Sequence, residues 1–551
     1  MNGQPLFSVD ELRIQYPYSQ SWAVDGVSFN LQKGEKLGLV GESGCGKSTM
    51  GRAAMGLLPK LTQIEGKIEF QGQSIFGRSP EALRRFRGEV VGLVFQDPMT
   101  RLDPLMTIGE HCLETLQAHH SQLSRKEAKN IAIKTLDKVK IPPNRWGQYP
   151  HEFSGGMRQR VAMALALLLS PKMIIADEPT TALDVTVAAE ILQELTRLCE
   201  EEEMGLLLIS HDLAMVGEYC DRLAVMNAGK IVEMGKMADI LHHPQHDYTK
   251  SLLKAALHVQ VEEEDPIETD SWEENKPQTQ PLLTVNNLQQ YFTLEGNFIQ
   301  QFFSQKVEVI KAVDNVSFQL YPGEILGLVG ESGCGKSTLS RTILQLLKAT
   351  SGTINFSGQD LTQLSAQEMR LKRRQLQMIF QDPNACLNPL MTVGESVADP
   401  LLIHKLATPE AAKEKVFEML KRVKLIPVED YYDRYPKELS GGQQQRVAIA
   451  RALITKPNLV ICDEPVSMLD ASIQAQVLEL MAELKDDFNL TYLFITHDLW
   501  VARFFCHRIA VMTQGKIVEI GETESIFKQP QHPYTQKLLN AAPLLLTDKK
   551  K

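Results

Sequence analysis

The chain alternates short, fully apolar runs with amphipathic stretches, and its two halves repeat the pattern. The runs KLGLV (Lys36–Val40) and EILGLV (Glu324–Val329) each lead into a glycine-rich loop, which GRAAMGLL (Gly51–Leu58) or LSRTILQLL (Leu339–Leu347) then follows. A short apolar run ahead of a longer helical pattern is typical of a buried parallel strand that leads into a helix. The pattern therefore predicts a strand, a glycine loop and a helix in each half.

Two further apolar runs end in acidic residues. They are MIIAD (Met173–Asp177) and LVICD (Leu459–Asp463). A buried parallel strand of this kind delivers a carboxylate at its C-terminal edge. Strands and helices that alternate in this way predict an α/β fold class for both halves.

Other fragments recur in the same order in the two halves. FQDPM, FSGGM, IIADEP and ISHDL of the first half return as FQDPN, LSGGQ, VICDEP and ITHDL. The interval is 289 residues from Lys47 to Lys336 and 286 residues from Glu178 to Glu464. Solenoid repeats are only roughly 20 to 50 residues long, so the pattern predicts two copies of one domain. We place the first domain at residues 1–258 and the second at residues 282–551.

The segment between the copies, residues 259–281, differs in composition from both domains. VQVEEEDPIETDSWEENKPQTQP contains eight acidic residues and one lysine. A chain with little apolar content and one sign of charge repels itself and stays extended, which predicts a flexible linker. The alternative is a docking segment for a basic partner.

Composition excludes several classes of protein. The hydrophobic content is 43%, but no run reaches the roughly 18 apolar residues of a membrane span, and the N-terminus has no secretory pattern. The eight cysteines form no CxxC pair, which favours reduced thiols over disulfides or a zinc site. The net charge of −10 argues against a nucleic-acid partner. These features predict a cytoplasmic location.

The glycine loops carry the first candidate chemistry. GESGCGKS occurs in both halves and fits the phosphate-binding loop, whose backbone N–H groups surround phosphates at a helix N-terminus. Lys47 and Lys336 would reach the β- and γ-phosphates, while the Ser48 and Ser337 hydroxyls would bind Mg²⁺. The cysteines in the loops are interpreted as small filling residues, with redox control as the alternative. The predicted nucleotide-binding residues of the loops are Gly41, Ser43, Gly44, Cys45, Gly46, Lys47, Ser48 and Thr49, and Gly330, Ser332, Gly333, Cys334, Gly335, Lys336, Ser337 and Thr338.

Paired acids and a second glycine motif complete the pattern in each half. Asp177 and Asp463 would hold Mg²⁺ through water, and Glu178 and Glu464 would polarise the attacking water. A serine and two glycines that open a helix form another anion cradle, with an ordinary capped helix as the alternative. The cradle residues are Ser154, Gly155 and Gly156, and Ser440, Gly441 and Gly442.

Taken in order, the glycine loop, FQDP, SGG, DEP, the following leucine–aspartate and the histidine–aspartate pair resemble the ATPase subunits of ATP-binding-cassette (ABC) proteins. The resemblance covers essentially the whole chain outside the linker. It implies tandem P-loop NTPase domains, each with a RecA-like parallel-sheet core, an antiparallel β subdomain and a helical subdomain. It also implies ATP and Mg²⁺ as cofactors. Head-to-tail pairing is implied as well, in which the SGG cradle of one domain closes on the γ-phosphate held by the other.

The resemblance assigns roles to glutamines and histidines of both halves. Gln96 and Gln381 are similar to the residues that sense Mg²⁺ and the attacking water, and they are counted with the metal site. His211 and His497 are similar to the residues that hold the γ-phosphate and orient the glutamate. A purely structural histidine is the alternative.

Four further residues receive roles from the resemblance, and one position departs from it. Tyr16 and Phe292 would stack on adenine, with a place in the core as the alternative. Asp184 and Asp470 match the aspartates that couple the two sites. Met157 replaces the glutamine that usually follows SGG, but Ser154 and its glycines remain, so both sites are expected to hydrolyse ATP.

The segment after each histidine narrows the resemblance. HHPQHDYTKSLLKAA (His242–Ala256) and QPQHPYTQKLLNAAP (Gln529–Pro543) resemble the C-terminal element of dipeptide, oligopeptide and nickel importer ATPases. The fused form is similar to the microcin C and glutathione-type importers. This implies two integral-membrane permease subunits, an extracytoplasmic solute-binding protein, and a peripheral position on the cytoplasmic face of the inner membrane. The four-cysteine tail of some members is missing here.

Two observations refine this interpretation. A tandem ABC ATPase that acts on the ribosome is the alternative function, but such proteins carry a long basic connector, whereas the connector of this chain is short and acidic.

The second copy has 13 more residues between Phe292 and Lys336 than the first copy has between Tyr16 and Lys47. We predict a surface hairpin there.

Overall fold

The computed structural model describes residues 4–95, 97, 101–181, 183–260, 280–293 and 309–542. The chain divides into two compact units between Leu257 and His258. Most of the predicted linker, residues 261–279, lies outside the described residues, so its boundaries and its flexibility stay predictions. No helix in the described part of the chain is both long and apolar enough to cross a bilayer.

Among its described residues, the first unit contains ten strands and nine α-helices. The strands are β1 (Phe7–Gln15), β2 (Val24–Leu31), β3 (Lys36–Val40), β4 (Gln63–Phe70), β5 (Gln73–Ser74), β6 (Val91–Val94), β7 (Met173–Asp177), β8 (Gly205–Ser210), β9 (Arg222–Asn227) and β10 (Lys230–Lys236). The helices are α1 (Lys47–Ala54), α2 (Pro80–Arg85), α3 (Ile108–His119), α4 (Arg125–Lys138), α5 (Gly155–Leu167), α6 (Val185–Glu201), α7 (Leu213–Tyr219), α8 (Met237–His242) and α9 (Asp247–Gln260).

The second unit repeats this order. Its strands are β11 (Leu283–Thr293), β12 (Val309–Leu320), β13 (Ile325–Val329), β14 (Ser351–Phe356), β15 (Gln359–Asp360), β16 (Leu376–Ile379), β17 (Leu459–Asp463), β18 (Thr491–Thr496), β19 (Arg508–Thr513) and β20 (Lys516–Glu522). Its helices are α10 (Lys336–Ile343), α11 (Ala366–Lys372), α12 (Pro383–Cys386), α13 (Val393–Ile403), α14 (Pro409–Arg422), α15 (Val428–Tyr432), α16 (Gly441–Leu453), α17 (Ala471–Phe488), α18 (Leu499–Phe505), α19 (Thr523–Lys528) and α20 (Pro533–Ala541).

A six-stranded sheet forms the centre of the first unit, in the order β10-β9-β3-β8-β7-β6. All pairs are parallel except β9–β10. Along β7, Ile174 and Ala176 face one apolar cluster, whereas Met173 and Ile175 face another. Because successive side chains of a strand point to opposite faces, the sheet is buried on both sides, as expected for continuous apolar runs.

Two smaller layers cover this sheet. The antiparallel sheet β2-β1-β4-β5 contributes Phe7, Leu12 and Leu31 to the cluster on one face. Helices α3, α4 and α5 pack together, and their apolar residues join the cluster on the other face. The second unit has the same layers, with sheets β12-β11-β14-β15 and β16-β17-β18-β13-β19-β20. The predicted α/β class and its subdomains are confirmed.

The helices after the glycine loops are shorter than the apolar pattern predicts. Helix α1 ends at Ala54, before the last four residues of GRAAMGLL. Gly56 adopts a left-handed conformation (φ 60°), and the Leu57 N–H donates to the carbonyl of Arg52 at 2.8 Å. This Schellman pattern terminates the helix, so the prediction that helix continues to Leu58 was wrong.

The second helix stops early for the same reason. Helix α10 ends at Ile343, although LSRTILQLL predicts helix to Leu347. Gln345 is left-handed (φ 52°), and the Leu346 N–H donates to the carbonyl of Arg341 at 2.9 Å. Apolar periodicity therefore predicted both helices but overestimated their length.

The first hairpin of the second unit is longer than its counterpart. Strands β11 and β12 have 11 and 12 residues, against 9 and 8 in β1 and β2. Phe292 pairs with Ile310 at the end of this ladder that leads into the connecting residues. The connecting residues 294–308 lie outside the described residues, so the surface hairpin stays a prediction.

The topology explains how distant motifs meet. Strand β3 pairs in parallel with β8, and β8 pairs in parallel with β7. The carboxyl ends of parallel strands lie at one edge of a sheet, where open α/β sheets bind their ligands. The loop after Val40, the acids after Ala176 and the histidine after Ser210 therefore share that edge.

Candidate nucleotide-binding and hydrolysis site

The glycine loop of each unit has a backbone that only glycine can supply. Gly46 has φ 108°, and a Cβ atom there would lie 2.3 Å from the carbonyl oxygen of Ala23. Gly335 has φ 110°, with a Cβ position 2.0 Å from the Ala312 carbonyl oxygen. Any side chain would force these segments apart, so the loop can close around a ligand only with glycine at these positions.

A buried lysine stands at the centre of each loop. Lys47 and Lys336 are each 4% exposed. The Lys47 Nζ donates to the carbonyls of Gly41 (2.7 Å) and Glu42 (2.9 Å), and Lys336 repeats this arrangement. Among the described residues, neither lysine forms an ion pair with a carboxylate. A buried cation held by neutral carbonyls and a neutral thiol creates a strong local preference for an anion.

A serine hydroxyl and an aspartate lie beside each lysine. The Ser48 Oγ donates to Asp177 Oδ1 at 3.0 Å, and the Ser337 Oγ donates to Asp463 Oδ1 at 3.2 Å. Burial raises the pKa of both aspartates, against a smaller lowering by the serine hydrogen bonds. Oxygen ligands of this kind are those that Mg²⁺ prefers. The structure thus brings together the predicted metal-binding residues Ser48 with Asp177 and Ser337 with Asp463.

The glutamates that follow these aspartates have a constrained backbone. Glu178 has φ 48° and Glu464 has φ 50°, a left-handed conformation that is uncommon outside glycine. The Glu178 N–H donates to the Ile209 carbonyl and the Glu464 N–H to the Ile495 carbonyl, both at 2.9 Å. These bonds to the neighbouring strand hold each glutamate in a strained position, a feature that clusters at functional sites.

Each glutamate contacts the predicted histidine of its own unit. The His211 Nδ1 lies 3.4 Å from Glu178 Oε1, and the His497 Nδ1 lies 2.9 Å from Glu464 Oε2. Burial works to raise the pKa of both glutamates, but the contacts with the histidine, a nearby hydroxyl and the loop lysine together lower the pKa overall. Both carboxylates therefore stay ionised and able to accept a proton near neutral pH. The Gln381 Nε2 also donates to Glu464 Oε2, at 3.0 Å.

The counterpart of Gln381 is Gln96, which lies outside the described residues. Its predicted role in the first site has no geometry to support or contradict it. Its described neighbour Phe95 accepts a hydrogen bond of 3.5 Å from Gln159, a buried residue of α5.

The pairing of His497 with Glu464 predicts a raised pKa for the histidine, which can be tested. Burial works to lower the pKa of His497, but the Glu464 carboxylate outweighs it and raises the pKa above 6.5. The stabilisation by this pair is therefore complete below about pH 6.5 and is lost as the pH rises through the raised value. Histidine NMR of the nucleotide-free chain should show this elevated midpoint, and Glu464→Gln should lower it.

His507 provides the reference within the same spectra. Burial lowers its pKa to about 4, and its Nδ1 accepts the Ile325 N–H at 2.8 Å. The midpoint of His507 should not change in the Glu464→Gln variant. A His497 midpoint below 6.5 in the unsubstituted chain would contradict the ion pair.

The SGG motifs begin helices α5 and α16. The Ser154 Oγ accepts the Met157 N–H, and the Ser440 Oγ accepts the Gln443 N–H, each at 3.4 Å. Both serines are exposed N-caps, and the O–H hydrogen is not used by the cap. Gln443 also accepts the Ser440 N–H at 3.0 Å, a reciprocal contact that methionine cannot make. The substitution at position 157 therefore removes one cap interaction and leaves the serine in place.

The remaining predicted residues have different surroundings. The Tyr16 hydroxyl lies 3.1 Å from the Thr49 hydroxyl, which places its ring beside the first glycine loop. Phe292 is 38% exposed on β11, and no described contact links it to the second loop. Asp184 caps α6 and accepts the Val187 N–H at 3.1 Å, while Asp470 precedes α17 and is also buried.

The sequence did not reveal two contacts of the site. The Thr181 hydroxyl donates to Glu178 Oε2 at 3.0 Å, so it orients the carboxylate from the side opposite His211. The hydroxyls of Tyr248 and Tyr534, in the C-terminal segments of the units, accept backbone N–H groups of the glycine loops. The tyrosine repeats in both halves, which is the signal that could have indicated a shared role.

Comparison with known proteins identifies the family of the chain. The ABC transporter family matches residues 24–181 and 313–467, and the family described as the oligopeptide/dipeptide transporter C-terminal region matches residues 232–281 and 518–551. The glutathione import ATP-binding protein GsiA of Escherichia coli strain K12 is 42% identical over 98% of this chain and 90% of its own length. GsiA of Pectobacterium atrosepticum is 42% identical over 95% and 86%.

A solved dimeric ATP-binding cassette in a post-hydrolysis state with ADP and Pi is also similar. It is 31% identical, with a TM-score of 0.39, over 44% of this chain and 98% of that one.

The chain belongs to the ABC transporter family, whose ATPase domain it contains twice. It is an ATPase of the ABC importer type with both ATP-binding domains in one polypeptide. The ribosomal alternative has no support in these comparisons.

Proposed function

We propose that this chain hydrolyses ATP at two sites to drive the uptake of short peptides or peptide-like solutes of the glutathione type. The observation that carries the proposal is the joint presence of two ATPase domains and two C-terminal regions of the oligopeptide/dipeptide transporter kind. The glutathione import proteins that resemble the chain over nearly its whole length support the same class of solute.

Within each half, the loop residues would bind the phosphates of ATP. The glycine-loop N–H groups and Lys47 or Lys336 bind the β- and γ-phosphates, and the buried charge of each lysine, held by loop carbonyls, supports this role. Tyr16 stacks on adenine in the first site, and Phe292 has the corresponding role in the second. A bound phosphate would replace the loop carbonyls that now hold the lysines.

The hydroxyl and carboxylate pairs fit Mg²⁺. Ser48 with Asp177, and Ser337 with Asp463, present adjacent oxygen donors beside the loop lysine. Gln96 and Gln381 complete the proposed set of Mg²⁺-binding residues. When bound, Mg²⁺ supplies positive charge against the β- and γ-phosphates. Burial makes the aspartate charge costly without a cation, which supports this assignment.

Glu178 and Glu464 are the proposed bases. Each carboxylate is ionised, held in a strained backbone conformation and contacted by a histidine. The glutamate orients a water molecule and accepts its proton, while His211 or His497 holds the glutamate in place and contacts the γ-phosphate.

The two halves are proposed to pair head to tail. Ser440 and its glycines would then close on ATP held by Lys47, and Ser154 with its glycines would close on ATP held by Lys336. Asp184 and Asp470, at the starts of α6 and α17, would couple the sites. The exposed serine caps, whose O–H hydrogens remain able to donate, support this arrangement.

The proposed partners are two integral-membrane permease subunits and, through them, an extracytoplasmic solute-binding protein. The chain would lie on the cytoplasmic face of the inner membrane as a peripheral subunit. The import proteins that it resembles support this placement.

Reconstitution tests the transport proposal. The chain is coexpressed with candidate permease subunits, purified as a complex and placed in proteoliposomes with the solute-binding protein. ATPase activity is then measured with glutathione, a dipeptide, a tripeptide or a nickel chelate. We expect a several-fold stimulation by a peptide-class solute. Stimulation by the nickel chelate alone, or copurification of ribosomal RNA in place of permeases, would contradict the proposal.

A further inference from the structure

The C-terminal segment of each unit reaches the glycine loop through one tyrosine. The Tyr248 hydroxyl accepts the N–H of Glu42 at 3.2 Å, and the Tyr534 hydroxyl accepts the N–H of Glu331 at 3.1 Å. Each glutamate is the second residue of its loop, and each tyrosine lies more than 200 positions away in sequence, at intervals of 206 and 203. The contact is therefore a tertiary one, formed twice in the same chain.

A second bond fixes the other side of the same loop residue. The carbonyl of Glu42 accepts the Lys47 Nζ at 2.9 Å, and the carbonyl of Glu331 accepts the Lys336 Nζ at 3.0 Å. The first residues of each loop are thus held from outside by the tyrosine and from inside by the lysine. When the lysine moves to a phosphate, the inner bond is lost and the tyrosine bond can remain.

Local contacts fix the position of each tyrosine. In the second unit, Glu519 of β20 accepts the N–H groups of Gln531 (2.8 Å) and His532 (3.1 Å). The His532 Nδ1 in turn accepts the Tyr534 N–H at 3.2 Å, which begins helix α20. Burial raises the pKa of the Tyr534 phenol to about 12, so it stays protonated and neutral at physiological pH.

The first unit builds the same arrangement. Glu233 of β10 accepts the N–H groups of Gln245 (2.8 Å) and His246 (3.1 Å), and His246 Nδ1 accepts the Tyr248 N–H at 3.1 Å. The histidine is followed by aspartate in one unit and by proline in the other. Both segments nevertheless place the tyrosine hydroxyl on the same backbone N–H of the loop.

We propose that Tyr248 and Tyr534 are positioning residues for nucleotide binding, each of which holds the glycine loop of its own unit in the conformation that accepts the phosphates. The proposal rests on the assignment of these loops as the ATP sites. A loop held in its binding conformation loses less conformational freedom when the ligand binds, so the affinity is higher. The C-terminal segment thereby affects the ATP site directly, in addition to its place in the fold.

The test measures one loop at a time in the full-length chain. Lys336→Ala leaves the first loop as the intact nucleotide site, and binding of the fluorescent nucleotide mant-ADP is measured with Mg²⁺. Adding Tyr248→Phe should weaken binding by roughly three- to tenfold, within the range that one hydrogen bond contributes. Adding Tyr534→Phe, the same substitution in the disabled half, should have no effect. In the Lys47→Ala chain, Tyr534→Phe should weaken binding and Tyr248→Phe should have no effect.

Turnover of the otherwise unsubstituted chain gives a second measurement. Tyr248→Phe combined with Tyr534→Phe should raise the KM for MgATP and leave kcat unchanged, because the ring and the catalytic glutamates remain. Tyr219→Phe is the matched control. The half-buried Tyr219 hydroxyl donates at 3.4 Å to the carbonyl of Ala189, which lies in helix α6 and not in a glycine loop.

Each outcome bears on the proposal. A loss of affinity smaller than threefold would overturn it, as would an equal loss from the tyrosine of the disabled half, which would indicate general destabilisation. Failure of the site assignment is distinguishable, because the Lys47→Ala/Lys336→Ala chain would then still bind mant-ADP with unchanged affinity.

Discussion

Replacing both Glu178 and Glu464 by glutamine is expected to lower the rate of ATP hydrolysis by roughly 10²- to 10⁴-fold, the usual contribution of a general base. Glutamine has nearly the same shape, so the contacts around Glu178 and Glu464 are largely kept, but an amide does not accept a proton from water at neutral pH. The pKa values of both glutamates are lowered in the folded chain, so the wild-type carboxylates are ready to act. Phosphate release is the measurement.

Each single substitution should also lower turnover strongly and hold the chain in a compact, ATP-bound state. Small-angle scattering with and without ATP detects that compaction. Glu81→Gln is the control, because Glu81 is an exposed residue whose ion pair is with Arg85, in its own helix, at 3.0 Å. If neither Glu178→Gln nor Glu464→Gln changed the hydrolysis rate, the assignment of the base would be wrong.

The sequence predicted the local parts of this site because they are contiguous. Residues 41–49 form one loop whose chemistry follows from glycine, lysine and serine at fixed spacing. Asp177 and His211 lie near that loop for another reason. All three stand at the carboxyl ends of parallel strands, and these ends lie at one edge of the sheet.

Other features of the site and the fold could not be predicted from the sequence, for physical reasons. The left-handed backbone of Glu178 depends on a bond to Ile209 in the adjacent strand, and residue type alone favours another conformation. The contact of Tyr248 with Glu42 depends on the folding of a distant segment onto the loop. Helix α1 ended early because Gly56 favours a left-handed cap, a local signal that competes with apolar periodicity.

The two sites are also unequal in ways that residue types only partly indicate. The hydroxyl three positions after the glutamate belongs to Thr181 in the first site, where it donates to Glu178 Oε2 at 3.0 Å, and to Ser467 in the second, where it donates to the Glu464 carbonyl at 3.1 Å. The SGG cradle proposed for the Lys336 site begins at Ser154. It lacks the reciprocal cap that Gln443 provides in the cradle that begins at Ser440. We therefore expect both sites to hydrolyse ATP, with different rate constants.

A negative charge introduced at the serine caps is expected to disable the ATP site of the opposite half. Aspartate caps a helix as well as serine does, so Ser154→Asp and Ser440→Asp keep helices α5 and α16. The new carboxylate would face the triphosphate, where like charges repel. Ser→Asn at the same positions is the matched control, because asparagine caps equally well and carries no charge.

Combination with one loop lysine shows which serine serves which site. In a chain with Glu178→Gln and Glu464→Gln, which retains unhydrolysed ATP, Lys47→Ala should leave retention at the Lys336 site. Adding Ser440→Asp should change nothing further, because Ser440 and Lys47 are proposed to share a site. Adding Ser154→Asp should abolish the remaining retention. Radiolabelled ATP held through rapid gel filtration is the measurement, and the reverse pattern would mean that each half closes its own site.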